Sequence, residues 1–313
     1  MKKIILDCDP GVDDALAIIL AIKSGKIHFD AITSVHGNSP VEQTTLNVLR
    51  ILDYFKDEIK YNIPVGKGES KPLVCSKADL TRAKNAHGID GLGDTDLLPK
   101  TSERSYELDA VSLILQKIKS GTRTIVATGA LTNIAKAFQK DSEIMSLLDE
   151  IIIMGGAIKE PGDIDRLSEF NFYSDPHSAD YVLQQKVKKI LIPLDVTHKA
   201  IFTPEMRNSI PDSRTGKLVK AVVKKYQDFY MSASNFSGNP LHDPLAMAYA
   251  INPSFLELTS MNLNVETEGK YTRGTCVPEL RSKAIDETKF NTYVALKVNS
   301  KRFLKYFLKT ISS

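Results

Sequence analysis

Short apolar runs alternate along the chain with longer segments in which apolar residues recur every three or four positions. The runs are bounded by Gly, Pro and polar residues and predict strands, whereas the longer period predicts amphipathic helices. Strands are predicted at residues 3–8, 29–36, 61–65, 123–128, 150–155 and 188–194. Helices are predicted at residues 13–23, 41–55, 108–119, 131–139, 176–185, 215–232 and 243–250. This alternation is typical of an α/β fold, in which a mostly parallel open sheet is flanked by helices.

Two long segments and the C-terminal region depart from this alternation. Residues 66–105 and residues 159–174 predict large loops, and loops of that size in compact domains tend to be functional. Residues 260–298 predict two or three strands, followed by a helix near 300–310. Since no internal repeat or low-complexity segment divides the 313 residues, we expect a single domain that spans residues 1–313.

Charge and cysteine content limit the classes of partner and compartment. The formal net charge is only +3 and the Lys residues are scattered, so we expect a small-molecule partner and no nucleic acid. Cys8, Cys75 and Cys276 are odd in number and form no C-x-x-C pair, which argues against a disulfide framework and a zinc site. The apolar run after Lys2-Lys3 is too short for a signal peptide, and no stretch is long enough to span a membrane. We therefore expect a cytoplasmic protein that does not enter a membrane.

The densest chemical signal is the segment Asp7–Asp14, in which four carboxylates follow the first predicted strand. At a separation of about 5 Å and an effective dielectric constant near 20, two ionised carboxylates repel each other by about 3 kcal/mol. Asp13 and Asp14 could instead complement the positive end of the following helix, but that returns only about 0.3 to 1 kcal/mol each. The repulsion favours a metal site, and Ca²⁺, which accepts about six to eight oxygen ligands, suits it. Asp7 lies deeper than Asp9 and is expected to orient the loop rather than to bind metal.

Other predicted strands also end at candidate site residues. Asn38 follows the second strand, Thr128 ends the 123–128 strand, and Met154 ends the next. The carboxyl ends of parallel strands share one edge, where ligands bind in open α/β sheets. We therefore expect the active site at the carboxyl ends of the strands.

His242-Asp243-Pro244 precedes an apolar helix. Asp at the N-cap with Pro at the first helical position is an ordinary helix start, and Asp175-Pro176 has the same pattern. The pKa of His lies near 6.5, which suits proton transfer at neutral pH, so His242 is also a candidate catalytic residue. On the residues alone, both interpretations of His242 stay open.

Two further patterns carry weaker signals. The segment His87–Gly93 is rich in Gly, but no strand precedes it and no Lys-Ser/Thr follows it, so we reject a phosphate-binding P-loop. Tyr226, Phe229 and Tyr230 recur at helical spacing, which is more typical of a core than of a ligand platform. At least one of the three rings could still face the cleft.

Taken together, the motifs resemble the inosine-uridine nucleoside hydrolase family over the chain to about residue 250. They are, in order, Asp7–Ala15, Gly37-Asn38, Thr128–Asn133, Met154–Gly156, Glu169-Phe170-Asn171 and His242-Asp243-Pro244. The resemblance implies a nucleoside hydrolase-like fold with a Rossmann-like core. It also implies calcium-dependent hydrolysis of the N-glycosidic bond of ribonucleosides such as uridine and inosine, a place in nucleoside catabolism and salvage, and a homodimer or homotetramer.

The resemblance further implies roles for individual residues. The calcium ligands are the carboxylates of Asp9, Asp14 and Asp243 and the backbone carbonyl of Thr128. The substrate-binding residues are Asp13, Asn38 and Asn171 at the secondary hydroxyls, Met154 and Glu169 along the ribose and its 5′-hydroxyl, and also His87. Asp9 is the base that takes a proton from the metal-bound water, and His242 is the acid that protonates the leaving base.

The chain departs from the family pattern at one substrate-binding position. Where the family commonly has an Asn that contacts the 5′-hydroxyl, six residues before Glu169, this chain has Asp163. The chain also has no Trp, so it lacks the tryptophan stacking of the purine-specific branch. His87 and His242 together favour the branch that accepts uridine and inosine.

Two other functions are compatible with part of the pattern. Asp7 and Asp9 at the end of a first strand also resemble haloacid-dehalogenase-like phosphatases, in which Asp7 would be the nucleophile on magnesium. That interpretation leaves Asn38, Glu169 and His242 unexplained. A non-catalytic nucleoside or ribose sensor would not need Asp9 and His242 as base and acid.

Overall fold

Helices and strands alternate in the computed structural model, which describes residues 1–74, 81–102, 104–106, 108–281 and 292–313. The strands are Lys2–Cys8 (β1), Ile27–Ser34 (β2), Val65–Lys67 (β3), Leu108–Asp109 (β4), Thr124–Ala127 (β5), Glu150–Met154 (β6), Lys189–Ile192 (β7), Ile201–Phe202 (β8), Asn239–Pro240 (β9), Leu256–Met261 (β10), Leu263–Val265 (β11), Cys276–Pro278 (β12) and Thr292–Val298 (β13). The helices are Val12–Ser24 (α1), Val41–Tyr54 (α2), Thr81–His87 (α3), Ala110–Lys119 (α4), Thr132–Lys140 (α5), Ser142–Met145 (α6), Phe170–Ser174 (α7), Pro176–Leu183 (α8), Leu194–Thr197 (α9), Pro204–Ser209 (α10), Arg214–Ala233 (α11), His242–Ile251 (α12) and Ser300–Ile311 (α13).

In the described part of the chain, one sheet contains nine strands in the order β10-β13-β7-β6-β5-β1-β2-β3-β4. All neighbouring pairs are parallel except β10 and β13. Alternate residues of β1 point to opposite faces of the sheet. Ile4 and Leu6 join one buried apolar cluster, and Ile5 joins the other. Helices α1, α2, α11, α12 and α13 pack on the first face, and α4, α5 and α8 on the second. The predicted fold class is confirmed.

Three predicted segments differ from the structure. The strand predicted at 61–65 is instead Val65–Lys67, because Pro64 has no N–H to donate to a ladder. The predicted loop 66–105 contains helix α3, whose seven residues are too short for a helical period to reveal. The predicted loop 159–174 likewise contains the short helix α7 at its end. Part of the first loop, including Cys75, lies outside the described residues, whereas Cys8 and Cys276 are free and buried.

The C-terminal region has the predicted strands in residues 260–298, which are β11, β12 and β13, and the predicted helix near 300–310, which is α13. Strands β10 and β13 pair in antiparallel fashion, and β13 joins the main sheet beside β7. Strands β11 and β12 form a separate antiparallel pair of three residues each, too short for an alternating pattern to define their bounds. Among the described residues, no helix is both long enough and apolar enough to cross a bilayer.

Candidate active site

A cavity of about 50 Å³ lies at the carboxyl ends of the central parallel strands. Ten residues predicted for the site line it: Asp13, Asn38, His87, Thr128, Met154, Asp163, Glu169, Asn171, His242 and Asp243. They come from segments far apart in sequence, which the parallel strands bring to one edge. Asp9 and Asp14 do not line the cavity; both side chains are fully buried beside it.

Three carboxylates converge beside this cavity. Asp13, Asp14 and Asp243 each offer an oxygen, and the three oxygens lie within 4.8 Å of one another. Asp14 is held from two sides, since its Oδ1 accepts a hydrogen bond from Thr128 Oγ1 (2.7 Å) and its Oδ2 accepts one from the Gly11 N–H (2.9 Å). Burial, and then the charge of Asp13, raises the pKa of Asp14 to about 7 and that of Asp243 well above its usual range. The fold therefore brings these carboxyl groups together where burial disfavours their ionised forms unless a cation compensates them.

Asp9 lies just outside that group of three and is tightly enclosed. Its Oδ2 accepts a hydrogen bond from the Asn38 N–H (2.7 Å), while its buried Oδ1 has no hydrogen-bond partner among the described residues. A Cβ atom on Gly37 would lie 1.8 Å from Asp9 Oδ2, and one on Gly129 would lie 2.9 Å from Oδ1. Both positions require glycine because the Asp9 carboxylate packs against their backbone. Burial, and then the charge of Asp14, raises the pKa of Asp9 well above its usual range.

These residues could hold a metal ion. Asp9 Oδ1 and Asp13 Oδ1 are both buried and lack a hydrogen-bond partner in the described chain, which is costly unless a cation or proton compensates them. A set made only of oxygen donors suits a hard divalent cation rather than a soft transition metal. The Thr128 carbonyl accepts a hydrogen bond from Asn171 Nδ2 (2.9 Å), which leaves its second lone pair for another partner.

Helix α12 starts differently from the prediction. Its N-cap is Leu241, and Asp243 lies inside the first turn without capping the helix, so the interpretation of Asp243 as an ordinary N-cap is wrong. The carboxylate turns instead toward Asp13 and Asp14. Asp175 does cap α8, as predicted, and accepts a hydrogen bond from the Ser178 N–H (3.0 Å).

His242 also lines the cavity. Its Nδ1 lies 2.9 Å from Thr197 Oγ1 and its Nε2 lies 3.1 Å from the Tyr230 hydroxyl, so the imidazole ring is fixed at both nitrogens. Burial lowers the pKa of His242 well below its usual value, and the neighbouring His198 and His87 act in the same direction. The resting ring is therefore neutral, with one N–H.

His87 closes the cavity from helix α3. Its Nδ1 accepts a hydrogen bond from the Val12 N–H (3.0 Å), which leaves Nε2 to carry the hydrogen of the neutral ring. Nδ1 also lies 3.9 Å from Asp13 Oδ1, and burial lowers the pKa of His87.

The sequence predicts the three rings of α11 as more typical of a core, with at least one ring that could face the cleft. Tyr226, Phe229 and Tyr230 of α11 all line the cavity, together with Phe170, Ala83 and Ala86. The Tyr226 hydroxyl donates to Asp13 Oδ2 (3.2 Å), which ties α11 to the carboxylates. Helical spacing identified the shared face of the three rings but not what that face meets. Thr197 could not be found either, because it gives no motif and acts through His242.

The segment after β6 also contributes to the cavity. Glu169 caps α7, and its carboxylate accepts hydrogen bonds from the N–H groups of Asn171 (2.8 Å), Gly156 (2.9 Å) and Phe172 (3.1 Å). Asn171 Nδ2 donates to the carbonyl oxygens of Thr128 and Met154, so it joins the ends of β5 and β6. Burial, and then the charge of Asp163, raises the pKa of Glu169 to about 8.

Asp7 is not among the residues that line the cavity. Its fully buried carboxylate accepts hydrogen bonds from Thr33 Oγ1 (2.5 Å) and Asn133 Nδ2 (2.8 Å). A nucleophile must reach its substrate, so this position disfavours the phosphatase interpretation.

Comparison with known proteins decides the family. Residues 4–305 match the family model described as inosine-uridine preferring nucleoside hydrolase. The chain belongs to this family. The inosine-uridine preferring nucleoside hydrolase of Crithidia fasciculata is 33% identical over 307 residues, 96% of this chain and 95% of that protein. The pyrimidine-specific ribonucleoside hydrolase RihA of Escherichia coli O7:K1 is 38% identical over 281 residues, 88% of this chain and 87% of that protein.

Solved structures of nucleoside hydrolases have the same fold. A purine-preferring ribonucleoside hydrolase from Gardnerella vaginalis superposes with a TM-score of 0.91 at 33% identity, covering 99% of this chain and 98% of the other. The plant nucleoside hydrolase PpNRh1 superposes with a TM-score of 0.90 at 29% identity, covering 100% of this chain and 99% of the other. The family match and these relatives support ribonucleoside hydrolase activity, and the prediction of an enzyme of this class is confirmed.

Proposed function

We propose that this nucleoside hydrolase cleaves the N-glycosidic bond of uridine- and inosine-type ribonucleosides in a calcium-dependent reaction that yields free base and ribose. The observation that carries the proposal is that one cavity brings together a buried carboxylate cluster and a histidine held at both ring nitrogens. The names of the relatives support a nucleoside substrate but differ in base preference. A cytoplasmic homodimer or homotetramer with a role in nucleoside catabolism and salvage belongs to the same proposal.

Asp9, Asp14, Asp243 and the Thr128 carbonyl would hold the calcium ion. The unpartnered Oδ1 of Asp9 and the mutual repulsion of the carboxylates support this set. When bound, calcium supplies positive charge that lowers the pKa of water and orients vicinal hydroxyls. Asp13, Asn38 and Asn171 would then bind the secondary hydroxyls of the ribose, while Met154 and Glu169 line its remaining face.

Two residues would move the protons. Asp9 takes a proton from the attacking water as the C1′–N bond lengthens and the new C1′–O bond forms. His242 first takes up a proton from solvent and then donates it to the departing nitrogen of the base, so the base leaves neutral and the ring returns to its neutral form. Attack from the face opposite the base predicts that ribose is released with an inverted anomeric centre.

The test is release of free ribose from uridine and inosine by the purified protein, with calcium and after exhaustive chelation. The same preparation is given a phosphomonoester with magnesium. Ribose release that depends on calcium supports the proposal. Phosphate release without ribose release would point instead to Asp7 as a nucleophile, and neither activity would favour a sensor.

A further inference from the structure

Helix α2 carries a buried polar residue, Asn47, that has no part in the proposed chemistry. Its side-chain Nδ2 donates to the Pro10 carbonyl (3.1 Å) and to the Asp90 carbonyl (2.8 Å). Its Oδ1 accepts hydrogen bonds from Gln43 Nε2 (2.9 Å) and Arg50 Nη1 (3.1 Å). A primary amide has two N–H groups and two oxygen lone pairs, so every hydrogen-bonding position of this side chain is used.

The two carbonyls that Asn47 binds belong to two segments that meet at the cavity. Pro10 lies in residues 7–14, which we call the carboxylate segment. Asp90 lies in residues 87–94, which follow helix α3 and which we call the His87 loop. Because a single amide group binds both backbones, it sets the distance between the two segments.

The His87 loop is also held through the side chain of Asp90. Arg50, which is only 4% exposed, donates from Nη1 and Nη2 to Asp90 Oδ2 (3.1 Å each). Asp90 Oδ1 accepts a hydrogen bond from the Asp94 N–H (3.0 Å), and the Gly93 N–H donates to the His87 carbonyl (2.7 Å). Asp90 therefore joins the loop to α2, and the loop is joined in turn to His87.

His87 is the group whose placement depends on this distance. Its Nδ1 accepts a hydrogen bond from the Val12 N–H (3.0 Å) and lies 3.9 Å from Asp13 Oδ1. A Cβ atom on Gly11 would lie only 2.5 Å from the same nitrogen, so the ring packs directly on the backbone of the carboxylate segment. A change in the separation of the two segments would break this contact and turn the ring that lines the cavity.

We propose that Asn47 is a positioning residue that aligns His87 with the carboxylates, and that the Arg50–Asp90 pair supports the same alignment. This inference rests on the proposed function, because it takes His87 as a substrate-binding residue. Asn47 is not among the described residues that line the cavity, so it would act only through the two segments that it joins. Loss of its side chain should remove the contribution of His87 and leave the other substrate contacts in place.

The experiment is a double-mutant cycle of Asn47→Ala and His87→Ala, measured as kcat/KM on uridine or inosine, whichever is cleaved faster. Each single variant should lose about tenfold, and the double variant should lose no more than His87→Ala alone. The control is Thr45→Val, at a buried α2 residue whose hydroxyl hydrogen-bonds to Ser34 and Val41, both outside the two segments. This control should leave kcat/KM nearly unchanged.

Thermal unfolding of every variant separates positioning from a general loss of stability. A defect that does not act through His87 would lower kcat/KM by the same factor with and without the His87 side chain, and such multiplying losses would overturn the inference alone. Asp90→Asn weakens the pair with Arg50 at a side chain that is 25% exposed, so it replaces Asn47→Ala in the cycle if that variant does not fold. Failure of the wild type to cleave either nucleoside would overturn the proposed function and this inference together.

Discussion

At the scale of single residues, the fall in kcat on removal of the His242 side chain should depend on the leaving group. Natural bases leave poorly without a proton, so His242→Ala should lower kcat on uridine or inosine by about 10²- to 10⁴-fold. A riboside with a p-nitrophenol leaving group needs no proton and should be cleaved at a nearly unchanged rate. The measurement is kcat on both substrates, with thermal unfolding as the control for folding. Equal losses on the two substrates would exclude this role.

Thr197 should act through His242 as a positioning residue. Its hydroxyl lies 2.9 Å from His242 Nδ1 and is fully buried, so Thr197→Val keeps the shape but leaves that nitrogen without its partner. We expect kcat on natural nucleosides to fall by about tenfold, a loss typical of one hydrogen bond, with KM nearly unchanged. Thr197→Ser should restore the rate, because it returns the hydroxyl. A Ser variant as slow as the Val variant would show that packing, and not the hydrogen bond, is responsible.

At the scale of elements, the sequence predicted the central strands best. The runs of β1, β5 and β6 are apolar because both faces of a parallel sheet are covered, and such runs are visible without neighbours. Short elements such as α3 and β11 are defined by contacts with distant segments, which no local pattern contains. For the same reason, the sequence did not show that α11 faces the cavity. Periodicity shows which residues share a helix face but not what packs against that face.

Strand β7 begins with a buried charge whose removal should stabilise the fold. Lys189 is 1% exposed, its Nζ donates to the Gln185 carbonyl, and burial lowers its pKa from 10.5 to about 8. Below pH 8 the lysine is charged in both the folded and the unfolded chain. Burial of this charge then lowers the free energy of unfolding by about 3 kcal/mol, which is the value that corresponds to such a pKa shift. Between pH 8 and 10.5 the unfolded chain holds more protons, so stability rises with pH and this cost disappears.

Lys189→Met should therefore raise the unfolding temperature by about 4 °C at pH 7 and have little effect near pH 10. Thermal unfolding across this pH range measures the difference. Lys188→Met is the matched control, because the Lys188 side chain is 46% exposed and should change the unfolding temperature little at either pH. An equal rise in unfolding temperature for Lys189→Met at pH 7 and pH 10 would show that the buried charge of Lys189 is not the cause.

At the scale of the whole molecule, the topology of the sheet brings the residues of the site together. Its residues were predictable as a group because parallel strands β1, β2, β5 and β6 carry their following loops to one edge. The contacts within that edge were not predictable, since the partners of Asp243 and His242 depend on how α9, α11 and α12 pack. The sequence therefore indicated which residues meet, and the structure adds which atoms they use.

The same topology links metal binding to global stability. Asp9 and Asp13 each bury an oxygen without a partner in the described chain, so the folded protein should gain stability when a cation binds there. Calcium at about 100 times its dissociation constant should add about 2.7 kcal/mol, or about 4 °C in unfolding temperature for a chain of this size. Magnesium should add less, because it requires a smaller, near-octahedral set of ligands.

Two variants distinguish the proposed calcium ligands from the nearby Asp7. Asp14→Asn should abolish the calcium-dependent rise in unfolding temperature, because it removes one of the converging carboxylates. Asp7→Asn should retain the rise, because Asp7 lies outside the cavity lining and an amide oxygen can still accept from Thr33 and Asn133. A calcium-dependent rise that is retained in Asp14→Asn but absent in Asp7→Asn would indicate that the metal binds at Asp7 in β1, which would favour the phosphatase interpretation.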